Sequence, residues 1–218
     1  DKPGPVWIDI PLDVQSTYIE QKKIKKFTKK INNKKNKSVN YYKILKELNN
    51  SNKPLLLIGN GIHLSKSVKE FIELFNLLKV PVVSSWNSSD IISSNNDLYV
   101  GRMGIFGERA ANLAAENSDL LIVLGTRLSI PQTGYNTELF SPNSKKIIID
   151  IDKNEMNAKK FKKLLFKINI NLNEFLKTFL KTAKKQNIKK FQEWKSLLID
   201  WKIKYPVFKN KTKFNKKF

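Results

Sequence analysis

Cysteine is absent from the 218 residues, which removes both a disulfide framework and thiolate chemistry. Apolar runs are short, and none approaches the roughly 20 residues that a membrane-spanning helix needs. Both absences predict a cytoplasmic protein without a membrane partner. Histidine occurs once, as His63, so no catalytic base with companions and no metal-ligand set can be read; Asp150 and Asp152 alone do not make an oxygen cage. Arginine is scarce, limited to Arg102, Arg109 and Arg127, while Lys and Arg together number 41 against 19 Asp and Glu, a net charge of +22. Such a charge ordinarily points to nucleic acid or an acidic surface. Base-reading interfaces favour Arg forks, however, and the excess here is diffuse Lys accompanied by Asn and Ile, which argues against nucleic acid as a partner.

What is present is 40% hydrophobic residues, enough for one large or two small cores. Residues 1–15, "DKPGPVWIDIPLDVQ", show neither an initiator Met nor a signal peptide and read as an excerpt of a longer chain. Within them, 6–10 is expected as a strand, with Val6, Ile8 and Ile10 alternating with Trp7 and Asp9 and no partner nearby. Residues 16–39 form a Lys-rich linker, without an acidic residue from Lys22 to Lys37. Residues 40–185 alternate strands and helices. Strands are expected at 55–58, 80–84, about 98–100, 120–124, 147–151 and 165–168, and helices at 65–78, 108–116 and 172–183. This alternation predicts an α/β, Rossmann-like parallel sheet with helices on both faces. In residues 186–218, a helix through Trp194, Leu197, Leu198 and Trp201 would carry a wide apolar face, expected to dock on sequence beyond this chain.

Four loops follow strand ends, where open α/β sheets bind ligands. "IGNGI" allows a tight turn or a close backbone approach to a ligand; it is not GxGxxG, since Leu64 stands at the third Gly position, and no acid closes the second strand. Nicotinamide cofactors are therefore not expected. "GRMGIFGERAAN" sets three Gly before a helix start, where free amides favour anions. "GTRLSIPQTG" places Arg127 to clamp a phosphate, stack on a ring, or pair with Asp150 or Asp152. "KKIIIDID" ends a buried strand on two carboxylates. Trp86 either stacks on a ring or fills the space between loop and helix. His63 reads as a loop or capping residue, with no acid at readable spacing.

The motifs "GPVWIDIPLDVQ", "KPLLLIGNGI", "VPVVSSWNSSDII", "VGRMGIFGERAANLAAENSDLLIVLGTRL", "QTGYN" and "KKIIIDIDKNEM" occur in an order that resembles thiamine-diphosphate-dependent enzymes of the acetolactate synthase type. The resemblance implies that residues 1–15 end a pyrimidine-binding domain, 40–185 are the central domain, and 186–218 are a linker into a diphosphate-binding domain. It implies a 2-oxo acid decarboxylase and carboligase, with thiamine diphosphate and Mg²⁺ held by flanking domains of the same polypeptide, no catalytic residue in this chain, and a homodimer or homotetramer. FAD or ADP would bind the central domain. The family's contacts fall on Gly59, Asn60 and Gly61; on Ser85, Trp86 and Asn87; on Gly104 and Ile105; on Gly125, Thr126 and Arg127; and on Asp150 and Ile151. Asp150 would accept from a nucleotide hydroxyl, while Asp152 and Glu155 fix the turn and cap the next helix. Ile130 and Pro131 depart from the family pattern, standing where a second Arg and an acid are usual, as does Ser-Trp-Asn in place of Thr-Leu-Met. The alternative is a stand-alone nucleotide-binding or interaction module without catalysis; strand 6–10, useless to such a module, argues for the enzyme.

Overall fold

A computed structural model describes residues 5–28 and 38–207, and the chain divides into two units, residues 1–37 and 38–218. In the first, Pro11 opens a single helical turn, α1 (Leu12–Gln15), and a 3-10 turn covers Gln21–Lys23. The strand expected at 6–10 does not form. Val6 and Trp7 are 83% and 93% exposed, and the Gln15 amide donates to the Ile10 carbonyl. A strand needs a neighbour to take its backbone groups, and nothing described in this unit supplies one. The linker from residue 29 to 37 and the aromatic Phe208 lie outside the described residues.

The second unit is built on β1 (Pro54–Ile58), β2 (Val82–Ser84), β3 (Tyr99–Arg102), β4 (Leu120–Leu124), β5 (Lys145–Asp150) and β6 (Leu164–Asn169). They form one parallel sheet in the order β3-β2-β1-β4-β5-β6. The sequences "PLLLI" of β1 and "LLIVL" of β4 are buried at every position, as befits strands covered on both faces. The chain leaves β1 in one direction and β4 in the other, so these two strands flank the switch point at which α/β sheets open a crevice beyond their carboxyl ends.

Helices follow as α2 (Tyr41–Asn50), α3 (Gly61–Leu64), α4 (Val68–Leu78), α5 (Arg109–Asn117), α6 (Ile130–Thr133), α7 (Lys153–Asn157), α8 (Leu172–Ala183) and α9 (Gln192–Lys204). The helix expected at 65–78 begins late: Ser65 Oγ donates to the Gly61 carbonyl, Lys66 takes φ +55°, and α4 starts only after that turn. Apolar Phe175 and Phe179 of α8 are buried, and the Tyr41 ring of α2 lies 5.5 Å from that of Phe175.

The last helix corrects a second expectation. Rather than leaving its apolar face for sequence beyond the chain, α9 docks on its own domain, with Trp194 and Leu198 at 2% and 1% exposure. Trp194 Nε1 donates to the Pro54 carbonyl at 3.0 Å, satisfying a group that burial would otherwise strand. Lys202 Nζ donates at 2.7 Å to the Tyr99 carbonyl on edge strand β3. Burial lowers the pKa of this ammonium, with Asp97 and Glu108 opposing the effect.

At the amino edge, Lys146 is fully buried, and its ammonium donates to the carbonyls of Ser141 (2.6 Å), Ser144 (3.0 Å) and Lys162 (3.2 Å). Burial, and then the nearby Lys163, push its pKa from 10.5 down to about 8. Between those two values the folded chain has released a proton that the unfolded chain retains, so stability rises with pH across the window, by up to ~1.4 kcal/mol per pH unit. Urea denaturation of wild type and Lys146→Met across this range should show the rise in the first relative to the second.

Candidate functional site

The loops beyond the carboxyl ends of β1 and β4 touch backbone to backbone. Gly59 N donates to the Leu124 carbonyl (3.0 Å) and Gly61 N to the Gly125 carbonyl (2.8 Å). A Cβ on Gly59 would lie 2.4 Å from Gly125 O, and one on Gly61 2.6 Å from Gly125 Cα. Gly125 itself takes φ +61°, open to glycine without strain. The glycines around Asn60 therefore bring one loop onto another, and the resulting close approach sits at the switch point.

The loop after β2 is fastened below this contact. Ser85 N and Ser88 Oγ both donate to the Ile58 carbonyl, at 2.8 and 3.0 Å. Asn87 and Trp86 remain exposed, Trp86 by 56%, with its ring edge-on to Phe106 at 5.8 Å. Trp86 is thus not a spacer between loop and helix. His63 finds an acid that spacing alone did not reveal: its Nε2 lies 3.0 Å from Asp90 Oδ1, and that hydrogen bond holds the Asp90 carboxyl below its ordinary range.

Four amides of the Gly-rich loop after β3 are taken within the protein, while the start of α5 carries no side-chain cap. Gly104 N donates to Asn112 Oδ1 (2.8 Å), Ile105 N to the Pro131 carbonyl (2.7 Å), Gly107 N to the Gly104 carbonyl (2.9 Å) and Glu108 N to the Arg102 carbonyl (2.7 Å). Asn112 Nδ2 returns a bond to Gly104 O at 2.9 Å, making a two-point clamp from α5. Amides committed in this way cannot also receive an anion. Ile105 and Phe106 are 63% and 73% exposed beside the clamp.

After β4, Thr126 is buried, and its hydroxyl donates to Gln132 Oε1 at 3.0 Å. Arg127 forms its ion pair with Glu155. Asp152 caps α7, accepting from Asn154 N and Glu155 N, and Asp150 Oδ1 accepts from Asp152 N at 2.8 Å. The Arg127 Nε instead lies 3.8 Å from Glu155 Oε1, a loose contact with its side chain 58% exposed. Glu155 is drawn the other way by Lys159, whose Nζ reaches Glu155 Oε2 at 3.0 Å and the Arg127 carbonyl at 2.6 Å. Thr126, Arg127, Asp150, Glu155 and Lys159, together with apolar Leu128, Ile148, Met156 and Phe161, line a shallow depression open to solvent. Its enclosed space is about 10 Å³, room for about one water. Ile151, just beyond, is 41% exposed. Among the described residues no group of three or more His, Cys, Asp or Glu could hold a metal.

The sheet therefore gathers every expected position at one edge, but in two neighbourhoods. Gly59, Gly61, Gly125 and Gly104 build the frame, whereas Arg127 and Asp150 share the depression. Sequence reasoning passed over Asn112, Gln132 and Lys159. Asn112 was legible only as one polar residue in "GERAAN", with nothing to say that it faces back to the loop.

Residues 42–179 match the family described as thiamine pyrophosphate enzyme, central domain. The acetolactate synthase large subunit of Cyanidium caldarium is 30% identical over 217 residues, covering 94% of this chain and 36% of the relative. The acetolactate synthase isozyme 1 large subunit of Escherichia coli is 30% identical over 206 residues, covering 94% and 35%. The large subunit of Haemophilus influenzae is 29% identical over 213 residues, covering 93% and 36%. The chain spans little more than a third of the length of these relatives.

If Gly61 serves the loop-to-loop contact, Gly61→Ala should destabilise the ligand-free chain by about 1–3 kcal/mol, the scale of overpacking. Thermal or urea unfolding without ligand measures it; a glycine needed only by a ligand would leave that stability unchanged.

Proposed function

The chain belongs to the thiamine pyrophosphate enzyme family, as its central domain, and from that premise we propose that it is a segment of an acetolactate synthase-like enzyme. That enzyme decarboxylates a 2-oxo acid and transfers the acyl carbanion equivalent to a second carbonyl. Thiamine diphosphate and Mg²⁺ belong to the flanking domains, residues 1–15 closing one and 186–218 leading into the other. The bare apolar side chains of the first unit support this division: Trp7, Tyr18 and Phe27 are at least 88% exposed and suit burial against a neighbouring domain or subunit of a cytoplasmic homodimer or homotetramer.

The central domain's own part is to hold an adenine nucleotide, FAD or ADP, at the carboxyl edge. The observation that carries this reading is Arg127, a guanidinium more than half exposed, only loosely held by Glu155, and sharing one depression with Asp150 and Thr126. With four amides of the Gly-rich loop committed internally, this side chain is placed to neutralise a phosphate. Asp150 is placed to accept from a ribose hydroxyl, and exposed Trp86 offers a surface for a flat ring. When bound, the nucleotide supplies packing and charge to the domain rather than a step of the carboligation. The donor set suits it: two cations, Arg127 and Lys159, beside two carboxylates, Asp150 and Glu155, with the Trp86 ring in a neighbouring loop.

Arg127→Ala should weaken FAD and ADP by roughly 1–3 kcal/mol, the cost of a lost charge-assisted hydrogen bond. Calorimetry on both proteins tests this, and equal affinities would remove Arg127 from the site. The 218 residues alone, given thiamine diphosphate and Mg²⁺, should release no CO₂ from pyruvate; release would overturn the placement of the catalytic groups in flanking domains.

A further inference from the structure

At the carboxyl edge one carboxylate is shared by two cations. Glu155 Oε2 accepts from Lys159 Nζ at 3.0 Å, while Glu155 Oε1 lies 3.8 Å from Arg127 Nε. The two contacts differ in kind. The first is a hydrogen-bonded pair whose Lys159 side chain is 17% exposed; the second is too long for a hydrogen bond, with the Arg127 side chain 58% exposed. Lys159 is fixed once more, because its ammonium donates to the Arg127 carbonyl at 2.6 Å. That ammonium therefore ties Glu155 to the backbone from which the guanidinium extends.

Charge and space both make Glu155 the obstacle to an anion. Around the depression, Arg127 and Lys159 stand with Asp150 and Glu155, so two positive charges are balanced by two negative ones. An anion approaching a balanced set gains little net attraction. The enclosed space holds about one water, too little for a phosphoryl group while the Glu155 carboxylate stays beside the guanidinium. Moving that carboxylate costs little. Its bond to Lys159 can persist while the long contact to Arg127 opens, so that neither Glu155 nor an anion-bound Arg127 is left without a counter-charge.

We propose that Glu155 is a resident counter-anion at Arg127, exchanged for a phosphoryl group of the ligand, and that Lys159 is the positioning residue that keeps the displaced carboxylate. Arg127 meets the ligand, and Glu155 sets how much negative charge the site admits. That the phosphoryl group belongs to a nucleotide rests on the reading given above. The exchange itself does not, and inorganic pyrophosphate tests it alone.

In the 218-residue chain, Glu155→Gln keeps the size of the side chain and removes the competing charge. Calorimetry at low salt should show inorganic pyrophosphate binding about tenfold tighter than to wild type, the order expected when one unit charge ~5 Å from a multiply charged ligand is removed in a water-like surrounding. In about 0.5 M NaCl that gain should fall to about twofold, which a change of shape alone would not do. The Arg127 Nε–H resonance should shift during the titration. Lys159→Met should weaken pyrophosphate about tenfold by letting Glu155 close on Arg127, and should cost much less when Glu155→Gln is also present. Lys159→Gln serves if that variant fails to fold. Unchanged or weaker binding by Glu155→Gln, including no binding by either protein, overturns the exchange, as does tighter binding that leaves the Arg127 resonance unmoved. An equal cost of Lys159→Met in both backgrounds overturns its positioning role. Pyrophosphate behaving as expected while ADP and FAD bind neither protein would overturn the nucleotide reading alone.

Discussion

The contact between Gly61 and Gly125 sets the terms for the rest of the carboxyl edge. Two loops that leave adjacent strands in opposite directions would normally diverge and leave a crevice. Here they meet through a 2.8 Å amide-to-carbonyl bond with no side chain between them. The start of α3 is fixed by it, since Gly61 is that helix's first residue, and so is the position of His63 within hydrogen-bonding reach of Asp90. Thr126 follows directly from Gly125, and through Gln132 it anchors α6, which reaches the loop after β3. Loops from β1, β3 and β4 are thereby coupled through their backbones.

That coupling shifts the electrostatic work to side chains. In many phosphate sites loop amides and a helix start supply the positive field. Here the amides of residues 104, 105, 107 and 108 are bonded within the protein, and the half-exposed Arg127 guanidinium stands beside the depression. Several lysines have different uses in the folded unit. Lys146 joins three carbonyls at the amino edge, Lys202 covers a carbonyl on the outer strand, Lys189 joins Ser51 O to Asn52, and Lys159 braces the Arg127 carbonyl. A +22 net charge invites thoughts of polyanions, yet several of these ammonium groups satisfy buried or edge carbonyls that would otherwise lack a donor.

The elements legible in advance were those whose residues alone decide their state. β4 and α8 fall at the expected residues because "LLIVL" is apolar throughout and 172–183 repeats its apolar residues with helical period. Helix α2 went unread, although Asn40 as its cap and Ile44, Leu45 and Leu48 on one face carry a helix signal. Residues 6–10 alternate like a strand and yet form none, since pairing depends on a neighbour rather than on the pattern. For α9 the apolar face was readable, but what it covers was not; Pro54 and Tyr99 lie about 140 and 100 residues from the groups that bond them.

By itself the sequence determined the layered parallel sheet, the glycine positions and the edge at which the site residues gather, because hydrophobic period, strand-end chemistry and motif order are local properties. Only the tertiary structure decided what each of those residues touches. The glycines around Asn60 meet another loop, the Gly-rich amides are taken by Asn112 and Pro131, and Arg127 leans to Glu155 because Asp152 is committed to its cap. Each of these pairings joins groups brought together by the strand order, and the strand order is fixed by burial summed over the whole sheet rather than by any residue's neighbours in the chain.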